Sequence, residues 1–349
     1  MSPHLPPVPV PAQNAAGTVR RMLIIGGAED RRDMMKVHRR FVALAGRGEA
    51  RVAVVPTASS FHREAGETYS TLFERLGAPR CEVVSPANRL DAHEDHWVEV
   101  LDNATGVFLS GGNQLKLSQF LVGTPVGEAI IRAHERGAVI GGTSAGASIL
   151  SRHMISDGEE GLTPRQGVSK LTQGLDLVGD IILDQHFAER GRYGRLMSMV
   201  ATSPSLMGIG IDEDTALELA EGTTADGAEI REFSVHGAGG VFLVDASRAM
   251  SDGHEAAPGA PLLLSGAIVH ALPAGSLFDL NARRLVDFVE QHPQGDAVYS
   301  VRQQASEISQ LERAAEDADA FDDEEVLEAA ADVQRAQQTQ LHLTRADDE

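Results

Sequence analysis

Residues 138–149 read AVIGGTSAGASI: an apolar run, a pair of glycines, then Ser144 between Gly142 and Gly146 in the pattern G-x-S-x-G. In that order the pattern predicts a buried strand, a sharp turn carrying Ser144, and a helix of small residues. Such a turn lifts a hydroxyl above the carboxyl edge of a sheet, and only small neighbours leave room for it. The amides that open the helix can stabilise an oxyanion. The competing reading is a glycine-rich turn that packs a helix closely on a strand, or binds a phosphate.

Upstream, four further apolar runs end in turn residues: MLIIGG from Met22, RVAVVPTASS from Arg51, CEVVSP from Cys81 and GVFLSGG from Gly106. Between them lie helix-like segments, such as the one with Tyr69, Leu72, Phe73 and Leu76 on one face. Alternating strand and helix predicts an α/β fold with a mostly parallel sheet covered by helices on both faces. Downstream the pattern continues with IILDQHF, a helix-like stretch around Met197, and LMGIGIDEDTALEL. IREFSVHG and GGVFLVDA then read as antiparallel edge strands. A helix with Leu280, Leu285, Phe288 and Val289 is expected to close the domain near Glu290, before the linker HPQGD.

Three segments follow: a proline-rich arm over 1–18, extended or disordered; a catalytic domain over 19–290; and a helical or disordered acidic tail over 291–349. The net charge of -21 is uneven. Residues 303–349 hold 14 acidic and 3 basic residues, a net of -11, so the body is only mildly acidic. That balance argues against nucleic acid, whose phosphates need a basic partner surface. No run approaches the length of a membrane span, and no secretory leader precedes the domain, so a cytoplasmic protein is expected. The single Cys81 excludes an internal disulfide framework. HEDH from His93 has the wrong spacing for H-E-x-x-H, and the run from Asp317 has Asp322 where an EF-hand needs glycine; no metal or cofactor is expected. GGAED and HGAGG supply glycines but do not fit G-x-G-x-x-G, which leaves a nucleotide-binding protein as a distant rival.

A serine hydroxyl attacks at neutral pH only when a base takes its proton. His186, at the end of IILDQ, meets that need on the same rim of the sheet as Ser144. An acid to orient the imidazole is available in GIGIDED, where Asp212, Glu213 and Asp214 end another run. Side chains alternate along a strand, so spacing alone leaves the choice among them open. The order Ser, His, acid differs from the Ser, Asp/Glu, His order of α/β-hydrolases and disfavours that fold.

Five blocks in sequence, IGGAEDR, FLSGGNQLKL, GGTSAGAS, DQHFAERGRYGRL and GIGIDEDTAL, resemble the cyanophycinases, intracellular serine peptidases related to aspartyl dipeptidases. The resemblance covers about residues 19–290. It implies a flavodoxin-like or class I glutamine amidotransferase-like three-layer sandwich. It also implies Ser144 as nucleophile, His186 as base, Glu213 as orienting acid, and the amides of Gly112 and Ala145 as the oxyanion hole. The implied substrate is cyanophycin, a poly-aspartate carrying arginine on its side chains, attacked as an exopeptidase to release β-Asp-Arg. A homodimer is implied as well. Arg190, Arg192 and Arg195 would then meet substrate carboxylates through bidentate guanidinium forks. Asp30, Gln114, Asp184 and Gln185 would complete the pocket. The near rival is an aspartyl dipeptidase cleaving short Asp-X peptides.

Overall fold

The computed structural model describes residues 19–290 and the short strand 297–300; the expectations for the arm and for the rest of the tail lie outside the described residues. The first half is built from β1 (Arg20–Ile25), α1 (Lys36–Leu44), β2 (Arg51–Val55), α2 (His62–Arg75), β3 (Arg80–Val83), α3 (Asp95–Asn103) and β4 (Gly106–Leu109). It continues through α4 (Gln114–Leu121), α5 (Pro125–Glu135), β5 (Val139–Thr143) and the single turn α6 (Ala145–Ser148). The five strands are parallel, in the spatial order β3-β2-β4-β5-β1. Counted from β2, that order reads 2-1-3-4-5, with the chain's first strand in the fifth place.

Both faces of this sheet are covered, which is why β1, β2, β4 and β5 carry apolar runs, whereas the edge strand β3 keeps exposed Arg80 and Glu82. Alternation along β1 sends Met22 and Ile24 into one core and Leu23 and Ile25 into the other. Phe41 of α1 and Leu72 and Phe73 of α2 fill the second core, while Leu101 of α3 and Ile130 of α5 fill the first.

The second half runs β6 (His153–Gly158), β7 (Ser169–Gln173), β8 (Ile181–Gln185), α7 (Tyr193–Thr202), β9 (Met207–Ile211), β10 (Thr215–Thr223) and β11 (Glu229–Gly237). It ends with β12 (Gly240–Asp245), β13 (Met250–Ser251), β14 (Leu264–Ser265), β15 (Ile268–Pro273), β16 (Leu277–Asp279), β17 (Arg284–Glu290) and β18 (Ala297–Ser300). β10 pairs antiparallel with β1, and β11, β16, β17 and β18 extend the same sheet to ten strands. The sheet is therefore parallel in one half and antiparallel in the other.

Three expectations need correction. β8, which leads to His186, is not in the sheet of Ser144: β5 and β10 occupy both edges of β1, so β8 pairs with β9 in a separate four-stranded sheet, β15-β12-β9-β8. IREFSVHG and GGVFLVDA are antiparallel as expected but interior, β11 between β10 and β16 and β12 between β9 and β15. The helix expected to end at Glu290 is the β16–β17 hairpin. Asp279 Oδ1 accepts the Ala282 amide and Arg283 adopts φ 51°, so Leu280–Arg283 turn the chain, and the β-branched and aromatic residues beyond it pair as a strand.

Candidate active site

Ser144 follows β5 with φ 52° and ψ -115°, a backbone that a non-glycine residue adopts at a cost of about 1–3 kcal/mol. Its neighbours explain the spelling of the motif. A Cβ on Gly142 would stand 2.1 Å from the Gly146 carbonyl oxygen, and one on Gly146 would stand 2.1 Å from that of Leu109. Neither position has room for a side chain, so α6 folds directly onto β4 and β5.

The turn after β1 gathers the segments of Ser144, His186 and Asp214 through three successive carbonyls. Ile25 O accepts the Ser144 amide at 3.0 Å, Gly26 O accepts that of His186 at 2.8 Å, and Gly27 O accepts that of Asp214 at 2.9 Å. The end of β8 thus reaches Ser144 across the gap between two sheets. Ser144 Oγ lies 2.9 Å from His186 Nε2, and His186 Nδ1 lies 2.5 Å from Glu213 Oε1. With the carboxylate accepting at Nδ1, the imidazole carries its proton there and leaves Nε2 to accept from the serine.

The acid that sequence left open is distinguished by what each carboxylate touches. Asp212 accepts the amides of Ala188 and Gly240, and Asp214 accepts that of Asp30. Glu213 alone of the three meets the imidazole.

Gly112, after β4, has φ 143°, and a Cβ there would come within 2.3 Å of the Ala58 carbonyl oxygen. A Cβ on its neighbour Gly111 would stand 3.2 Å from the Ser144 Cβ, so the glycine leaves room over the serine. Ala145 opens α6 beside the serine. A cleft of about 290 Å³ runs over Ser144 and His186, walled by Ala28, Glu29, Arg31, Ser59, Tyr69 and Gly111. It opens at the carboxyl ends of β1, β2, β4 and β5, next to the point where strand order reverses between β2 and β4, the usual place for a ligand in such sheets.

The remaining expected residues divide. Asp184 is buried and gripped by Arg195, whose Nε donates to Oδ2 at 2.6 Å and whose Nη2 donates to Oδ1. Arg192 Nη1 donates to the Gln185 backbone oxygen at 2.5 Å and to its Oε1 at 3.1 Å. Burial, joined by the charge of Arg195, brings the Arg192 guanidinium down to about 10. These two arginines therefore brace β8 and the start of α7 from inside, and Gln185 Oε1 in turn lies 3.4 Å from Ser144 Oγ. Arg190 is exposed. Asp30 folds its own loop: amide hydrogen bonds, first from Asp33, then Met35 and Arg32, hold its carboxyl well below the usual range. Gln114 Nε2 donates to the carbonyls of Ile155 and Ser156, tying α4 to β6.

Sequence reasoning missed Glu29, although it quoted the block that contains it. The side chain is buried in the wall of the Ser144 cleft, accepting from Tyr69 at 2.5 Å and from Thr143 at 2.7 Å, with His38 Nε2 at 3.6 Å. Burial alone would push the carboxyl up. The pull of His38, followed by the hydrogen bonds of Tyr69 and Thr143, outweighs it and holds the group at about 2. The available signal was an acid in a glycine turn directly after a fully apolar strand.

Residues 22–226 match the model of peptidase family S51. A cyanophycinase of Nostoc sp. is 37% identical over 278 residues, covering 78% of this chain and 90% of that protein. A cyanophycinase of Geminocystis herdmanii is 33% identical over 260 residues, covering 74% of this chain and 93% of its own. In fold the chain is similar to a crystal structure of a peptidase from an acI-B1 Actinobacterium, with TM-score 0.56 and 20% identity over 76% of this chain and 98% of that one. A nucleophile-type turn at the carboxyl edge of a mixed α/β sheet, with these relatives over most of its length, assigns the chain: it belongs to peptidase family S51.

Proposed function

We propose that the chain is a cyanophycinase: a serine exopeptidase that cleaves the poly-aspartate backbone of cyanophycin and releases β-Asp-Arg. The observation that carries this reading is the chain of contacts from Ser144 Oγ to His186 Nε2 and from His186 Nδ1 to Glu213. In the proposed cycle, Ser144 Oγ attacks the scissile carbonyl while its proton passes to His186 Nε2. The Gly112 and Ala145 amides hold the oxyanion. The imidazolium, steadied by Glu213, gives its proton to the departing amine as the C–N bond breaks and the acyl-enzyme forms. Water then attacks the ester, again through His186, and Ser144 recovers its proton.

Asp30, Gln114, Asp184, Gln185, Arg190, Arg192 and Arg195 belong to the proposed pocket in different ways. Arg190 is the exposed member that can meet a substrate carboxylate. Asp184, Arg192, Arg195 and Gln114 shape the wall, and Gln185 bridges that wall to the nucleophile. A homodimer and a reducing, cytoplasmic setting belong to the same reading. The lone Cys81, whose thiol burial pushes up to about 11, suits a chain that does not rely on oxidation.

The test is a mass measurement of soluble products after incubation with insoluble cyanophycin. Release of β-Asp-Arg is expected. Cleavage of short Asp-X peptides without that release would replace the proposal with an aspartyl dipeptidase.

A further inference from the structure

The wall of the cleft holds another cation, the last residue of the IGGAEDR block and one given no role above. Arg31 follows the turn that organises the catalytic segments, and it lines the same cleft as Ser144 and His186. Its guanidinium carbon lies 5.8 Å from the centroid of the Tyr69 ring. That ring is itself fixed from below. Tyr69 is buried, and its hydroxyl donates to the buried Glu29 carboxylate, whose other oxygen accepts from Thr143, the residue before the nucleophile. The backbone of Arg31 is pinned too, its carbonyl accepting from Arg75 Nη2 at 3.2 Å.

What sets Arg31 apart from Arg192 and Arg195 is its lack of an anion. Those two spend their forks on Asp184 and Gln185. The Arg31 guanidinium forms no ion pair among the described residues, and the buried Glu29 carboxylate of the same cleft is already engaged by Tyr69 and Thr143. A guanidinium stacked on a fixed ring keeps its edge donors free while losing much of its rotational freedom. An exposed cation of this kind, facing a nucleophile, is arranged to receive an anionic part of whatever is cleaved.

We propose that Arg31 is a specificity-determining residue that binds a carboxylate of the substrate in the Ser144 cleft, with Tyr69 and Glu29 positioning it. The proposal rests on Ser144 being the nucleophile of an aspartyl peptidase. Such a substrate offers two carboxylate sources: the α-carboxylate of each side-chain arginine, and the end of the aspartyl chain. Both present the planar oxygen pair that a guanidinium fork matches.

The test is steady-state kinetics of the wild type, Arg31→Gln and Arg31→Lys on three synthetic aspartyl peptides. The first carries β-linked arginine and a free carboxyl terminus. The second carries agmatine in place of arginine, which keeps the guanidinium but lacks the α-carboxylate. The third has an amidated carboxyl terminus. On the first peptide Arg31→Gln is expected to lower kcat/KM by about tenfold to a hundredfold, mainly through KM, with partial recovery in Arg31→Lys, as for loss of a charge-assisted pair. On the peptide lacking the carboxylate that Arg31 reads, the wild type is already slow and the substitution adds no further loss, which identifies the source. A loss of the same size on all three peptides, or none on the first, overturns the proposal. A wild type that cleaves none of the three overturns the peptidase reading on which it rests.

Discussion

Replacing Glu213 by Gln removes the charge that faces His186 while keeping the side chain's shape. The structure sets the size of the effect through two terms. The first is the tautomer: Glu213 accepts from Nδ1 at 2.5 Å and so keeps Nε2 free for the serine, whereas an amide NH₂ turned toward the ring would donate to Nδ1 and move the proton to Nε2. That arrangement blocks proton transfer from Ser144. The second is electrostatic support for the imidazolium, which solvent weakens because the Glu213 side chain is 35% exposed. A fully enclosed triad acid costs about 10⁴ in kcat when converted to its amide. With screening, the expected loss for Glu213→Gln is about 10²–10³ in kcat, or roughly 3–4 kcal/mol of barrier, with KM little changed. The assay is initial-rate hydrolysis at saturating substrate, with circular dichroism to verify the fold. A kcat within tenfold of wild type would refute the role given to Glu213.

Thr143→Val removes one donor from the buried Glu29 carboxylate at nearly constant volume, so urea unfolding should register a loss of about 1–3 kcal/mol. Burial would raise Glu218, but hydrogen bonds from His236 and Arg40 and their charges hold it at about 2. Its folded value lies below the unfolded one, so this stabilisation is present above pH 4.5 and is lost as pH falls toward 2; Glu218→Gln should flatten that part of a stability-against-pH profile. His134 is buried and pushed down to about 4, chiefly by burial. Protonation there favours the unfolded chain, so stability should fall between about pH 6.5 and 4 and level off below; His134→Leu should reduce that slope in thermal unfolding. Gly146→Ala places a methyl 2.1 Å from the Leu109 carbonyl oxygen and should leave little soluble active protein, read by expression yield and activity.

The parallel half of the fold was legible because its strands, the edge strand β3 apart, are buried on both faces and carry apolar runs. Ser144 was legible for a steric reason, since Gly142 and Gly146 are the spellings that its turn permits. What sequence could not supply was non-local. Nothing in IILDQ says that β1 has already given both its edges away, so the second sheet, and with it the route by which His186 reaches Ser144, came only from pairing. The acid was ambiguous because alternation places Asp212 and Asp214 alike, and the backbone partners that consume them lie at Ala188, Gly240 and Asp30. The misread helix with Leu280, Leu285, Phe288 and Val289 shows the limit of spacing: a turn held by Asp279 and Arg283 interrupts it. Glu29 was overlooked because its importance lies in Tyr69 and Thr143, 40 and 114 residues away.

The central claim is that Ser144 performs the attack, and comparing wild type with Ser144→Ala on the same cyanophycin preparation tests it most directly. The account predicts that β-Asp-Arg release falls by at least about 10⁴-fold while the circular dichroism spectrum is unchanged. Release from Ser144→Ala at a rate within tenfold of the wild type would contradict it.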